Sequence, residues 1–408
     1  MKEISLVITA LSPLAIGRQK PGGSVSEAMD YIPGSVIRGA VAGQILRQSA
    51  ANPDQPGGDF QTLFVEEGAA VFSNAYPTCK DEGEQLLPVY VLPATAVSSK
   101  TSPGFKQKGK DNGGVFDTLI DRFCAEAHGH LYDPSCPEDG QRVEPYGGFY
   151  SKEGEQYRSH AVETRLLTRV GINRRRSTAE EQVLYSIQVI NETQNKDKAE
   201  TLFSSSIYLK NAELAQLLAE YLNSNRLRLG GSTSRGLGKV EIQAEVKDYQ
   251  TGINSRIDAF NTTLREHWEK WGSIFRSPQK PISEGHQFFT LDLQSDAILT
   301  EHWRRTTVIS PAMLCESTGV NDSGLQLHAT YSSYDYRSGW NAAWGLMKDV
   351  ELVTNKGAVY LFSTPSLESW KPALEKLEYC GVGERTLEGF GQVQICSDFH
   401  QVFREEAV

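Results

Sequence analysis

A glycine-rich segment occurs twice in this chain, each time between a helical pattern and a strand pattern. The first copy reads Gly230-Gly231-Ser232-Thr233-Ser234-Arg235-Gly236-Leu237-Gly238-Lys239-Val240-Glu241-Ile242. The second reads Gly383-Glu384-Arg385-Thr386-Leu387-Glu388-Gly389-Phe390-Gly391-Gln392-Val393-Gln394-Ile395. A repeat of this kind implies two copies of one structural unit. Its glycines imply backbone with positive φ, or close approach to a neighbour. At least one of the two loops is therefore expected to touch whatever the protein binds.

The pattern around each loop extends the repeat. Residues 2–11 alternate as a strand, and Pro33-Gly34-Ser35 opens a helix with Ser35 as its expected N-cap. Val71–Tyr76 reads as a short strand, and 77–157 as a loop-rich insertion of Gly, Pro, Lys and Asp. Strands at 160–168 and 183–190 frame an arginine-rich hairpin tip. A strand at 202–210, a helix at 212–222 and a strand at 239–246 complete a first unit. This β-α-β-β-α-β order predicts an α+β fold of ferredoxin-like modules. The expected organisation is a first module over 1–246, a helical connector over 247–285, and a second module over 286–408. In the second, strands are expected at 288–293, 359–362 and 391–396, and a helix at 367–377.

Composition narrows the function. At 408 residues, 39% hydrophobic and 23% charged, the chain is an ordinary globular protein of two or three domains. No run approaches the roughly 18 apolar residues of a membrane span. The first residues read as a strand without a signal core, so the chain is expected to be cytoplasmic. The six cysteines are too sparse for a disulfide scaffold. The net charge of −10 argues against nucleic acid, but its distribution argues the other way. Arg158–Arg176 holds six arginines and one acid, 98–110 four lysines and no acid, and 226–240 four bases and no acid. Residues 287–408 hold 16 acids against 9 bases. Local patches set phosphate affinity, so the basic stripes of the first part argue for nucleic acid.

The chemistry-bearing motifs fit that reading. Ile32-Pro33-Gly34-Ser35-Val36-Ile37-Arg38-Gly39 puts a sharp turn into a helix whose free N–H groups suit phosphate. Successive N–H groups from Gly230 to Gly236 suit an anion, with charge from Arg235 and Lys239. The loop is not a P-loop, because Gly-Lys-[Ser/Thr] is missing, nor a dinucleotide fingerprint, because its glycines precede a strand.

This helix start, together with a Gly-rich loop before the last strand, resembles the RAMP superfamily of CRISPR systems. The two-module plan, Gly381-Val382-Gly383-Glu384-Arg385, Glu388-Gly389-Phe390-Gly391 and Gly114-Val115-Phe116-Asp117-Thr118-Leu119-Ile120 make it most similar to the two-module subunit of type III-D effector complexes. The resemblance covers essentially the whole chain. It implies RRM-like folds and binding of crRNA at its 5′ repeat-derived handle. It also implies contact with other RAMP backbone subunits and the Cas10-type large subunit, with target RNA nearby. Carried over by position, Ser35 and Arg38 match the helix start that faces RNA. Gly230, Gly231, Ser232, Ser234, Arg235, Gly236, Gly238 and Lys239 match the cradling loop. Arg165, Arg169, Arg174, Arg175 and Arg176 fall on a thumb-like hairpin. The sheet shows no obvious exposed stacking aromatics, so backbone and shape recognition is expected.

Two further constellations leave alternatives open. Cys124, His128, His130 and Cys136, with Cys79 upstream, supply five candidate zinc ligands in one insertion. The family's Cys-Pro-x-Cys-Gly knuckle is here Cys136-Pro137-Glu138-Asp139-Gly140, so either one structural zinc or a degenerate site is expected. Asp30, in the loop before the first helix, and His160 are the candidate nuclease residues; the ordinary readings are a turn-forming acid and a structural histidine. The chain is accordingly expected to be a non-enzymatic crRNA-binding scaffold. A RAMP endoribonuclease and a zinc-containing adaptor are the alternatives.

Overall fold

The computed structural model describes residues 1–18, 27–48, 58–81, 83, 86–107, 112–173, 178–194, 199–275, 278, 282–283, 285–341 and 345–408. It is a mixed α/β structure whose strand pairs are antiparallel, with seven α-helices among the described residues. Two larger sheets organise it. In the first, Lys239–Asp248 and Leu202–Leu209 flank the central strand Lys2–Ala10, and Leu202–Leu209 in turn pairs Val71–Phe72 and Tyr76–Thr78. In the second, Val393–Ile395 and Val359–Thr364 flank Gln287–Leu293, with Gln326–Tyr331 outermost.

Local sequence explains these elements. Ile4, Leu6 and Ile8 are at most 2% exposed while Ser5 and Val7 between them are half-buried, the period-two pattern of a strand covered on one face. Asn211 caps the helix Ala212–Ser224, its Oδ1 accepting from the N–H groups of Glu213 (3.0 Å) and Leu214 (3.1 Å). That helix buries Leu214, Leu218 and Leu222, four residues apart, against the first sheet. The helix Leu367–Cys380 buries Leu367, Trp370, Leu374 and Leu377 against the second.

Several expectations need correction. Ser35 is not an N-cap: the helix begins at Gly34 and runs to Gln48. Pro33 supplies the preset φ, and its carbonyl accepts from the Val36 and Ile37 N–H groups. The Val71–Tyr76 strand is two short strands with Ser73-Asn74-Ala75 between them. The 77–157 segment is not loop-rich. It holds the helix Leu119–Ala127 and strands at Tyr90–Val91, Ala96–Ser99, Val115–Asp117, Val143–Pro145, Phe149–Glu153 and Gln156–His160. Its polar composition concealed Phe105, Phe116, Tyr150 and Tyr157, which form a core with Phe399, Val402 and Ala407 of the C-terminal segment.

This insertion packs largely on the second half of the chain. Leu119, Ile120 and Cys124 join the second-half core, as do Ile257, Phe260 and Leu264 of the long helix Ile253–Ile274. The long helix is thus a core element as well as a connection. Burying a side chain of this size contributes about 1.5–3 kcal/mol, so the insertion is a substantial clamp between the halves. His400 closes the clamp. Its Nε2 lies 2.9 Å from Asp292 Oδ1 on the second sheet, and its Nδ1 lies 3.2 Å from Asp117 Oδ2 in the insertion. All three side chains are buried, and the two carboxylates raise the imidazole to about 10 against the opposing effect of desolvation.

Candidate nucleic-acid interface

The two glycine segments fold into the same turn. Gly230, Ser232, Gly236 and Gly238 have φ of 85°, 55°, 91° and 82°; Gly383, Arg385, Gly389 and Gly391 have 87°, 56°, 90° and 66°. A short 3-10 helix sits in each, Thr233–Arg235 and Thr386–Glu388. The hydrogen bonds repeat as well. Gly231 N donates to Ala15 O at 2.8 Å and Glu384 N to Ile298 O at 2.9 Å. Gly238 N donates to Pro13 O and Gly391 N to Asp296 O, both at 2.9 Å. Each loop is therefore tied to the segment after the central strand of its own sheet. A side chain at Gly230 or Gly383 would put a Cβ 2.5 or 2.4 Å from a carbonyl oxygen there, which is why glycine stands at both.

Their surroundings differ. The first loop exposes Gly231, Ser234, Arg235 and Gly236. Beside it rises the hairpin Thr164–Asn173 and Thr178–Ile190. The Arg169 guanidinium donates to Arg235 O at 3.5 Å, and Arg228 Nη1 donates to Thr233 O (3.3 Å) and Leu237 O (3.2 Å). The Arg235 guanidinium lies over the Tyr185 ring, 5.6 Å from its centroid, and donates to its hydroxyl. Three arginines thus border one exposed turn. Arginine spent on carbonyls keeps its full charge, so the field at this turn is positive. Gly231, Arg235, Gly236 and Gly238 spend their N–H groups inside the chain. Among the described residues, the N–H groups of Ser232, Thr233 and Ser234 have no acceptor, so the anion-facing stretch is narrower than the whole glycine segment. Lys239 N is held by Ser12 Oγ at 2.8 Å, and its side chain is half-buried.

The second loop is covered by the first half of the chain. Gly389 is buried against Phe72 O and Asn74 Oδ1, and the Glu388 carbonyl faces Gly34 at the start of the first helix. Arg385 and Lys348 hold the Glu388 carboxylate, at 2.5 and 3.3 Å, and depress its pKa against its partial burial. Gly389 of this loop therefore contacts the chain's own first half.

The decisive likeness is in the first half. Residues 7–241 match the sequence profile of the RAMP superfamily. The chain belongs to the RAMP superfamily. Among solved structures, a chain of type III-B Cmr-beta bound to cognate target RNA and AMPPnP is similar at 13% identity and a TM-score of 0.40. That match covers 89% of this chain and 86% of the other. Oligomeric Cmr4 from Pyrococcus furiosus is similar at 12% identity, 60% and 99% coverage and a TM-score of 0.26. No curated protein matches the chain.

The remaining candidates of this RAMP protein divide sharply. Arg174, Arg175 and Arg176 lie outside the described residues. Arg165 is on the hairpin, but Glu192 engages it at 2.9 Å and Asn191 Oδ1 accepts from it at 3.1 Å. At the helix start, Gly34 N donates to Asn74 Oδ1 at 2.8 Å, so that N–H is already capped. Ser35 is half-buried. Arg38 donates to Phe64 O, its Cζ lies 5.7 Å from the centroid of the Phe64 ring, and burial lowers its pKa. It serves packing more than a free phosphate contact.

The five candidate metal ligands are not gathered. Among the described residues, no three His, Cys, Asp or Glu side chains form a group able to hold a metal ion. The Cys124 thiol is pushed up to about 12 by burial beside Asp121. His128 Nδ1 donates to Cys124 O at 2.8 Å, and its ring packs on Trp268. His130 is exposed and stacks on Phe275, and Cys136 donates to Gly113 O at 3.4 Å. Cys79 lies near Arg158, its thiol raised by burial. Asp139, where the knuckle would have its second ligand, accepts from Ser99 and Thr101, which hold its pKa far down. These residues do not fit a zinc site.

The candidate nuclease residues are also engaged. Asp30 lies 3.7 Å from Lys356 Nζ in a cleft of about 540 Å³ between the halves. His160 Nε2 lies 2.7 Å from Ser151 Oγ, and burial near Arg158 lowers its pKa to about 4. Sequence reasoning missed Tyr185, an aromatic inside the arginine-rich hairpin, and the clamp residues Asp117, Asp292 and His400. No helix among the described residues is long and apolar enough to cross a membrane.

Proposed function

We propose that this RAMP protein is a non-catalytic, crRNA-binding structural subunit of a type III CRISPR effector complex. In this reading it follows the type III-D two-module plan. It holds the 5′ repeat-derived handle beside other RAMP subunits and the Cas10-type large subunit, with target RNA nearby. The strand order is last, first, third, second in both larger sheets, which supports reading each as a ferredoxin-like βαββαβ module.

The observation that carries the proposal is the exposed first loop bordered by Arg169, Arg228 and Arg235, whereas its twin packs Gly389 against Phe72 and Asn74 of the first half. Exposed arginines around backbone N–H groups position a phosphate chain without reading its sequence. Asp30 held near Lys356, and His160 bonded to Ser151 and uncharged at neutral pH, favour a scaffold over a nuclease. The test is a salt titration of binding to RNA carrying the repeat-derived handle. Arg235→Ala is expected to weaken binding and lower the salt slope by about one; an unchanged slope overturns the assignment. Cleavage of bound RNA by the assembled complex that vanishes with Asp30→Ala overturns the non-catalytic role.

A further inference from the structure

The second half carries an aromatic side chain that its own fold does not use. Trp303 is 100% exposed, whereas Trp370 of the same half is fully buried. Trp303 stands at the tip of the hairpin Leu299–Glu301 and Arg304–Thr306, which follows the central strand of the second sheet. Glu301 pairs with Arg304, so His302 and Trp303 form a two-residue loop, with φ of 48° and 64°. Such a loop favours Asn-Gly, Asp-Gly or Gly-Gly. A bulky residue at positive φ is a backbone outlier, and strain of this kind collects at binding sites. Here strain and full exposure fall on the same residue.

The hairpin is anchored below its tip. Arg305 pairs with Glu384 at 2.5 Å and with Glu351 at 2.6 Å, and Thr300 Oγ1 donates to Glu384 at 2.5 Å. Ile298 O, at the hairpin base, accepts from Glu384 N at 2.9 Å, and the Ser310 hydroxyl donates to Glu301. The indole is thus presented on a braced base, which reduces the ordering cost of binding.

The surroundings of the indole select its ligand. The run Thr300-Glu301-His302-Trp303-Arg304-Arg305-Thr306 has one apolar side chain, Trp303. A protein hot spot is ringed by further contacts that exclude water, and polar neighbours do not build such a ring. An aromatic face beside cations is instead the arrangement that holds a base and its phosphate. His302 and Arg304 flank the indole and are exposed, while the Arg305 charge is spent on two carboxylates. We infer that Trp303 stacks on an unpaired base of single-stranded RNA, with Arg304 at the adjoining phosphate. The inference rests on reading the protein as an RNA-binding subunit. It adds base stacking in the second half to the phosphate contacts of the arginine-bordered loop in the first. Residues 287–408 are acidic as a whole, so attraction there rests on the uncharged ring more than on the local field. Stacking accepts any base, so this contact is sequence-tolerant.

The experiment measures binding of the full chain to single-stranded oligouridylate and to an abasic strand of the same length, by fluorescence anisotropy of the labelled strand. Trp303→Ala is expected to lower affinity for the base-bearing strand about fivefold or more, the effect of one lost stacked base. Its affinity for the abasic strand and its salt slope should match those of the wild type. Trp303→Phe should restore most of the loss, and Arg304→Ala should lower the salt slope by about one on both strands. Trp303→Gly separates stacking from a structural role. Glycine suits the positive φ, so the melting temperature should rise while binding falls as it does for alanine. A lower melting temperature for Trp303→Gly, an equal loss on both strands, or no loss on either overturns the inference. Loss of a co-purifying protein from Trp303→Ala, with RNA binding intact, overturns it in favour of a protein partner. If binding depends on Arg235 and not on Trp303, the stacking site falls and the RNA-binding reading stands. If the wild type binds neither strand, both fall.

Discussion

The two glycine loops share φ angles to within about 20° and share their anchoring hydrogen bonds, yet the first is open at Gly236 among the described residues and the second is closed at Gly389 by Asn74 and Phe72. The shared glycine pattern thus sets the turn, and the side chains around it decide its use. The first copy carries Ser232, Ser234 and Arg235 beside an arginine-bearing hairpin. The second carries Arg385, Leu387 and Glu388, whose charges are paired within the chain. The same conformation serves as a charged, solvent-facing rim in one half and as a protein contact in the other. Sealing the second loop also joins the halves, because its seat lies in the first sheet.

The largest test of this contrast removes what holds the second half in place. His400 is buried between Asp117 and Asp292, and His400→Gln leaves two buried carboxylates without their cation. A loss of about 3–5 kcal/mol is expected in urea unfolding. The pH dependence has a definite sign. The folded imidazole is raised to about 10 from an ordinary 6.5, so its stabilisation is complete below pH 6.5 and fades as pH rises through 10. Wild-type stability should therefore decline over that window by an amount missing from His400→Gln. Parallel curves for the two proteins would contradict the charged clamp. Next in size is the paired substitution Gly389→Ala and Gly236→Ala. Both sites have φ near 90°, which costs about 1–2 kcal/mol for alanine. Only Gly389 adds a collision with Asn74 and Phe72, so about 3 kcal/mol is expected there against about 1 at Gly236. Equal losses would mean that the loops are equally free.

What the sequence revealed follows the range of the interactions. The strand Lys2–Ala10 was legible because Ile4, Leu6 and Ile8 alternate with less buried residues. The helix Ala212–Ser224 was legible because Leu214, Leu218 and Leu222 recur every four residues; its Asn211 cap was not read from the sequence. The turn itself was legible because glycine is needed wherever φ is positive. What lay hidden were contacts between distant residues. Ser73 and Gln392 are 319 positions apart, and no local pattern links them. Spacing says equally little about the candidate metal ligands: Cys79, Cys124, His128, His130 and Cys136 share an insertion, but each meets a different neighbour. The insertion itself was misread as loops because its aromatic core is completed by Phe399 and Val402 from the far end of the chain.

A smaller perturbation probes the seat alone. Asn74 Oδ1 accepts from Gly34 N, and that amide has lost its access to water. Asn74→Ala is expected to cost about 1–2 kcal/mol, the usual range for a lost helix cap or an unmet buried donor. If the seat is as local as the geometry indicates, RNA binding at the first loop should be unmoved by this change. A binding defect matching the stability loss would show that the two loops act as one surface.

The smallest expected effect is the most discriminating. Arg235 and Arg385 both lie in the glycine turns, and each carries one positive charge. Arg235 stands over Tyr185 at the exposed rim, whereas Arg385 is held by Glu388 at 2.5 Å and lies 5.0 Å from the centroid of the Phe390 ring. A phosphate at the first loop would release about one counterion through Arg235, so its removal should lower the salt slope of RNA binding by about one. Arg385→Ala removes the same charge from a site whose field is cancelled by a neighbouring carboxylate, and the slope should not move. Net charge changes identically in the two variants, so a difference between them reports position and not overall charge. Two equal slopes would mean that the protein attracts RNA through its general field, and the distinction between an open and a sealed loop would then carry no functional weight.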